Sequence, residues 1–312
     1  MNIKKIAVIG AGLMGNGIAQ AFAANPNLTV NIFSLMLEDD PYAPIKRNID
    51  IMMGRDALTK EEADGILSRI SFKSGLKEAT YDADFIIECV SEVMSLKQDL
   101  FAEIEGYCSD EAILATNTSV LKVTEVFSKC KNKNRVVGVH FWNPGHLIPL
   151  VEVVKIEHTE DKTIDKTMEL LNAIGKRPIL CKKDVPGFIG NRLQFAMWRE
   201  AIYMVENDIA DPATIDDAIK FGPGLRWSVL GPMEASDMLG IELTDNMLSY
   251  ILEHLADNHE PSPLIKQMLE RGDYGFKTGK GWQEWTPEQM AASTKRLREH
   301  LIGLTLNADK TI

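Results

Sequence analysis

Residues 5–24 narrow the folds open to this chain more than any other stretch. Residues 5–9 are a short apolar run, of strand length, that stops at Gly10. Gly10-Ala11-Gly12-Leu13-Met14-Gly15 follows in the spacing GxGxxG, and residues 16–24 then read as a helix. Strand, glycine turn and helix in that order are the context in which GxGxxG binds a dinucleotide. Gly10 permits the tight turn, Gly12 lets the backbone at Leu13 and Met14 approach a pyrophosphate, and Gly15 lets helix and strand pack closely. The helix start then offers free N–H groups and a partial positive charge to the phosphates.

The pattern continues for about 180 residues as short apolar runs alternating with amphipathic stretches. Strands are expected at 29–33, 84–90, 112–115, 135–141, 150–155 and 178–181. Helices are expected over 44–70, 96–107 and 120–127, with Thr59-Lys60-Glu61-Glu62 as a helix start inside the first of these. Continuous apolar strands between helices imply a mostly parallel sheet covered on both faces. The character changes at Lys182-Lys183-Asp184-Val185-Pro186-Gly187. Beyond it the periodicity is helical, over 188–207, 214–221, 233–239, 245–255 and 263–271, with no convincing strand. The expected class is therefore α/β: a Rossmann-type, doubly wound sheet domain over 1–183 and an all-helical domain over 184–312.

A chain of 312 residues suits two domains. Lys plus Arg is 34 against 45 for Asp plus Glu, a net charge of −11, which disfavours nucleic acid or an anionic membrane as partner. No run approaches a membrane span, and the apolar run before Gly10 is too short for a signal peptide. Cys89, Cys108, Cys130 and Cys181 have neither CxxC nor zinc-site spacing, so no metal is expected and the four read as free thiols of a cytoplasmic protein.

A carboxylate usually ends the second strand and binds the ribose hydroxyls, which favours NAD by repelling a 2′-phosphate. Here that place is taken by Ser34, and Glu38, Asp39 and Asp40 come later. NAD is the expected cofactor, and NADP stays open because no arginine follows at once to select it.

Five further motifs occur in one order: Asn117-Thr118-Ser119, His140-Phe141-Trp142-Asn143-Pro144, Leu150-Val151-Glu152-Val153, Pro186-Gly187-Phe188-Ile189-Gly190-Asn191-Arg192 and Lys277-Thr278-Gly279-Lys280-Gly281. The ordered set resembles the 3-hydroxyacyl-CoA dehydrogenase family over residues 1–285. Oxidising an alcohol needs a base for the hydroxyl proton while a hydride leaves, and a histidine serves both directions. The resemblance makes His140 that base and Glu152 the carboxylate that fixes its tautomer. It makes Ser119 and Asn191 hydrogen-bond partners of the reacting oxygen, with helix N-capping as the other reading of Ser119. It places Glu92, Lys97 and Asn117 beside the cofactor and Asn143 in a substrate loop. The same resemblance implies a homodimer formed through the C-terminal helices and a small-molecule substrate held between the domains. His146 reads as a loop histidine.

One stretch departs from the acyl-CoA pattern. Gly222-Pro223-Gly224-Leu225-Arg226-Trp227-Ser228-Val229-Leu230-Gly231-Pro232 is longer than the acyl-CoA form. It is similar to relatives that oxidise small free acids and alcohols, such as L-gulonate, L-carnitine and pyridine-carboxylate alcohols. Arg226 then suits a substrate carboxylate, or else serves as a structural cation. Against this, the helical insertion at 44–74 is present, which in acyl-CoA members helps hold the CoA nucleotide, and Lys46 and Arg47 lie in it. A short-chain acyl-CoA substrate therefore stays open beside a small free acid. A non-catalytic, crystallin-like role is a third reading, against which the presence of both His140 and Glu152 argues. A C–N or aldehyde substrate on the same scaffold is a fourth.

Overall fold

The structure, a computed structural model, describes residues 3–311. Among these, eight strands form one sheet: β1 (Lys5–Ile9), β2 (Thr29–Phe33), β3 (Ile70–Phe72), β4 (Phe85–Glu88), β5 (Ile113–Thr116), β6 (Val136–Phe141), β7 (Leu150–Val154) and β8 (Arg177–Cys181). The spatial order is β3-β2-β1-β4-β5-β6-β7-β8, parallel throughout except where β7 runs antiparallel to β6. The order reverses between β1 and β4, which opens a crevice at their carboxyl ends, the place where such sheets take ligands.

Alternation along each strand builds two cores. Ile6 and Val8 face one side with α1 (Leu13–Ala23), α2 (Ala43–Met53), α3 (Lys60–Ser68) and a later helix, Asp161–Ala173. Ala7 and Ile9 face the other with α4 (Leu76–Thr80), α5 (Met94–Glu105) and α6 (Val123–Val126). The helix Asp161–Ala173 is α7.

The expected helical stretch 44–70 is in fact two helices and the start of a strand. Thr59 caps α3 in the anticipated way, exchanging hydrogen bonds with Glu62. β3 is only three residues long and pairs with β2, too short for periodicity to reveal. The expected helix 120–127 shrinks to α6, so Ser119 is not its cap. Asp184 supplies that cap from sixty residues away, its carboxylate accepting from the amides of Val123 (3.1 Å) and Thr124 (2.7 Å).

The chain divides into two compact units, one running to Arg192 together with Leu301–Leu306, the other spanning Leu193–His300. The helices from there on are α8 (Gly190–Glu206), α9 (Pro212–Phe221), α10 (Gly224–Trp227), α11 (Pro232–Leu239), α12 (Ile241–Ile251), α13 (Pro263–Arg271) and α14 (Pro287–Thr311). The second unit is tied internally by Glu200, which accepts from the amide of Ala256 (2.7 Å), and by Ser262, which donates to Glu206 (2.5 Å). The motif 277–281 forms a turn closed by the isolated bridges Gly275↔Lys280 and Lys280↔Glu284.

Candidate active site

The phosphate loop has the shape its glycines require. Gly10 has φ +107°, and a Cβ there would lie 2.7 Å from the Cys89 carbonyl oxygen at the end of β4. A Cβ on Gly15 would lie 1.8 Å from the Gly10 carbonyl oxygen, whereas nothing lies within 4 Å of the Cβ position of Gly12. Gly12 precedes α1 and no side chain caps it, so the amides of Leu13 and Met14 open α1 without a side-chain partner. This open, uncapped helix start fits a dinucleotide pyrophosphate.

Ser34, just beyond β2, turns back on itself, its hydroxyl donating to the Met36 carbonyl (2.9 Å). Two of the following acids are engaged: Arg47 forks onto Glu38 (2.9 and 3.2 Å) and Lys46 donates to Asp40 (2.9 Å). The two α2 cations nearest in sequence are therefore already matched to carboxylates.

Further along the crevice, Lys97 is buried in α5 with its ammonium between Glu88 (2.6 Å) and Glu92 (3.1 Å). Glu88 also accepts from the Thr116 hydroxyl (2.8 Å) and the Val90 amide (2.7 Å). Burial pushes Glu88 up, with Lys97 and these bonds opposing it. Glu92 accepts from the Thr118 hydroxyl and from the amides of Ser119 (2.9 Å) and Val120 (3.3 Å). Burial raises Glu92, but the Thr118 bond, Lys97 and Ser119 outweigh it, and the carboxyl sits below its ordinary value. The segment 118–120 wraps around Glu92 instead of starting a helix. Asn117 is turned the other way, its Oδ1 accepting from the Phe141 amide (2.8 Å) and tying β5 to the end of β6.

The antiparallel register sets His140 directly opposite Glu152. Their neighbours Val139, Phe141, Val151 and Val153 face the α1 side, so His140 and Glu152 share the opposite face. His140 Nδ1 lies 2.8 Å from Glu152 Oε2, with both residues buried. Glu152 Oε1 accepts from the amides of Ile189 (2.8 Å) and Gly190 (2.9 Å), and so caps α8. Those amides point inward because the chain turns through positive φ at Gly187 (+76°) and Phe188 (+50°). Phe188 is buried, its ring centroid 5.7 Å from that of His140. Burial raises Glu152, but the His140 bond and the two amides win, and it stays below the ordinary carboxylate value. An ionised Glu152 accepts a hydrogen bond from His140 Nδ1–H, which turns the Nε2 lone pair of the imidazole away from the carboxylate.

Asn191, one residue into α8, donates to the Ser119 carbonyl (3.0 Å). Through the neighbouring Gly190 amide on Glu152, this bond joins the His140–Glu152 pair to the Ser119–Glu92–Lys97–Glu88 chain, so six of the expected site residues and Glu88 belong to one network. Asn143 is exposed in the loop between β6 and β7. Arg226 is exposed in α10 of the second unit.

Three contributors lay outside the sequence reading. Lys176 is buried and donates to the carbonyls of Gly145 (2.8 Å) and Ile148 (2.8 Å), anchoring the β6–β7 loop. Trp142 donates its indole N–H to Glu152 Oε2 (3.2 Å). Glu88 holds Lys97. The signal available for Glu88 was a carboxylate ending the apolar run Phe85-Ile86-Ile87, where a buried acid wants a partner; Trp142 stood inside the His140–Pro144 motif with no role of its own, and Lys176 left no trace.

Comparison with known proteins gives the family of the chain. Residues 5–185 match the family model described as 3-hydroxyacyl-CoA dehydrogenase, NAD binding domain, and residues 187–285 match its C-terminal domain. The chain is 32% identical over 306 residues, 97% of each chain, to 5-formyl-3-hydroxy-2-methylpyridine 4-carboxylate 5-dehydrogenase of Mesorhizobium japonicum. It is 34% identical over 290 residues to a probable 3-hydroxybutyryl-CoA dehydrogenase of Bacillus subtilis, covering 91% of this chain and 98% of that one. Among solved structures, the pyridine-carboxylic acid 5-dehydrogenase, described as an NAD+-dependent dismutase, superposes with a TM-score of 0.90 at 29% identity, over 99% of this chain and 100% of that one.

Proposed function

The chain belongs to the 3-hydroxyacyl-CoA dehydrogenase family, and from that premise we propose how this NAD-dependent oxidoreductase works and on what. Its substrate is a small free hydroxy acid or related carboxylate-bearing alcohol, not a CoA thioester. The observation that carries the substrate reading is the TM-score of 0.90 to the pyridine-carboxylate enzyme over 99% of the chain, against 0.75 over 91% for a 3-hydroxybutyryl-CoA dehydrogenase from Ralstonia eutropha. The pairing of Lys46 with Asp40 and Arg47 with Glu38 supports it, because cations committed to carboxylates are poor phosphate ligands. The same pairing supports NAD over NADP.

His140 Nε2 takes the hydroxyl proton. Glu152 holds the ring in that tautomer and stabilises the charge the ring acquires. Bound NAD supplies the hydride acceptor, held on the Gly10–Gly15 loop with Glu92 and Lys97 shaping the nicotinamide side. Ser119 and Asn191 offer hydrogen bonds to the reacting oxygen. Arg226 grips the substrate carboxylate.

We place the protein in the cytoplasm on its four free cysteines, and among the described residues no helix is long and apolar enough to cross a membrane. A homodimer through the second unit is supported by its exposed apolar side chains, Val229 (78%), Met233 (74%) and Tyr250 (71%) among them.

The test is a panel of free hydroxy acids, including pyridine carboxylates, against short acyl-CoA thioesters, each with NAD and NADP. Turnover confined to the thioesters would sink the substrate reading. Arg226→Met should raise KM for the free acid by about 100-fold; unchanged KM removes Arg226 from the site.

A further inference from the structure

Glu152 is placed to receive more than its histidine. Oε1 takes the amides of Ile189 and Gly190, and Oε2 takes both His140 Nδ1 (2.8 Å) and the Trp142 indole N–H (3.2 Å). Four donors saturate a carboxylate, which offers about four lone-pair sites. Glu152 is fully buried and Trp142 half-buried, so the indole also covers the Oε2 side of the pair.

The indole reaches Oε2 by lying over Gly190. A Cβ at residue 190 would stand 2.5 Å from Trp142 Cζ2 and 3.2 Å from Cε2. Any side chain at 190 therefore pushes the six-membered ring away and pulls its N–H off the carboxylate. Gly190 also donates its own amide to Oε1, so one residue binds Glu152 directly and admits the side chain that binds it from the other oxygen. The His140 ring is flanked by the same groups, with centroids 5.7 Å from both Trp142 and Phe188.

We propose that Trp142 is a positioning residue of this site: seated on Gly190, its indole N–H holds Oε2 of Glu152 and thereby fixes the plane and charge of His140. This rests on the assignment of His140 as base and Glu152 as its partner. The N–H draws part of the Oε2 charge to itself. Without it, the whole of that oxygen serves the His140 N–H and favours the protonated ring. Alcohol oxidation needs the neutral ring, so its acid limb must move to higher pH. Cys181 on β8 also feels the charge of Glu152; burial first, against its bond to the Lys183 carbonyl, and then the charges of Glu152 and Asp184 hold the thiol above its ordinary value, so it stays neutral across that limb.

The experiment compares Trp142→Phe, Gly190→Ala, the double variant and His140→Ala in steady-state oxidation across pH. Trp142→Phe keeps an aromatic ring and removes the donor. It should lower kcat about tenfold, leave KM for NAD unchanged, and move the acid limb up by about half a unit. A residue that merely fills space would lower thermal stability without moving that limb. Gly190→Ala should lose activity by displacing the indole. The double variant should fall no further than Trp142→Phe alone, since the donor is already gone and Phe lacks the atoms that clash. Wild-type kcat and an unmoved limb in Trp142→Phe overturn the proposal, and so do strictly additive effects in the double variant. If Trp142→Phe does not fold, Gly190→Ala decides alone, with full kcat and an unmoved limb counting against. An inactive His140→Ala beside a wild-type-like Trp142→Phe refutes only the role of Trp142. A fully active His140→Ala refutes the base assignment and this inference together.

Discussion

Two buried side chains show how charge is handled residue by residue. Glu152 remains an anion at zero exposure because His140 and two backbone amides meet it. Glu152→Gln keeps the shape but offers His140 an amide, which disorders the tautomer. The expected result is a loss of about two to four orders of magnitude in kcat with NADH affinity retained by fluorescence titration. Near-normal turnover would show that Glu152 only caps α8. Lys176 is the opposite case, a buried amine whose partners are neutral carbonyls. Burial pushes it down from 10.5 to about 8. Between those values the unfolded chain holds a proton that the folded chain has released, so stability from this group rises with pH across the window and is flat below it. The melting temperature of the wild type should therefore gain on that of Lys176→Met between about pH 8 and pH 10. A difference independent of pH would mean that the amine keeps its proton throughout.

At the level of elements, loops in this protein are held by side chains from distant segments. α6 is four residues long and starts where Asp184 accepts two of its amides. Asp184→Ala leaves both donors unmet and should cost about 1–2 kcal/mol in denaturant unfolding; a cost near zero would mean that water replaces the cap. The 118–120 segment takes its form from Glu92 in the same way. These cases explain what could be read in advance. The strand–loop–helix at 5–24, the alternating apolar strands and the Thr59 capping box are local patterns and were legible. The end of helix 44–70, the status of Ser119 and the three-residue β3 were not, because each depends on a partner far away in the chain.

For the whole molecule, the acidic balance of −11 sits beside an uncapped start of α1 and a crevice whose charges are paired with one another. The net sum therefore says little about which small anion is bound. The second unit carries the test of assembly. If its apolar side chains meet a second copy, sedimentation equilibrium should give twice the 34.8 kDa chain mass. Placing Asp at both Met233 and Tyr250 should then release monomer, since charge is costly inside a buried apolar interface. A monomeric wild type would refute the dimer.

The order of the motifs along the chain already contained the fold class and the phosphate loop, and through the family resemblance it singled out His140 and Glu152. The first two are properties of residue type and short-range spacing, which periodicity and turn chemistry report directly. Folding in three dimensions settled the pairings: His140 against Glu152 by antiparallel register, Lys97 between Glu88 and Glu92, Asp184 on α6, and Trp142 over Gly190 onto Oε2. Each is a contact across strands or loops, set by how two cores bury their apolar faces, and nothing in a local stretch of sequence encodes which distant donor will arrive.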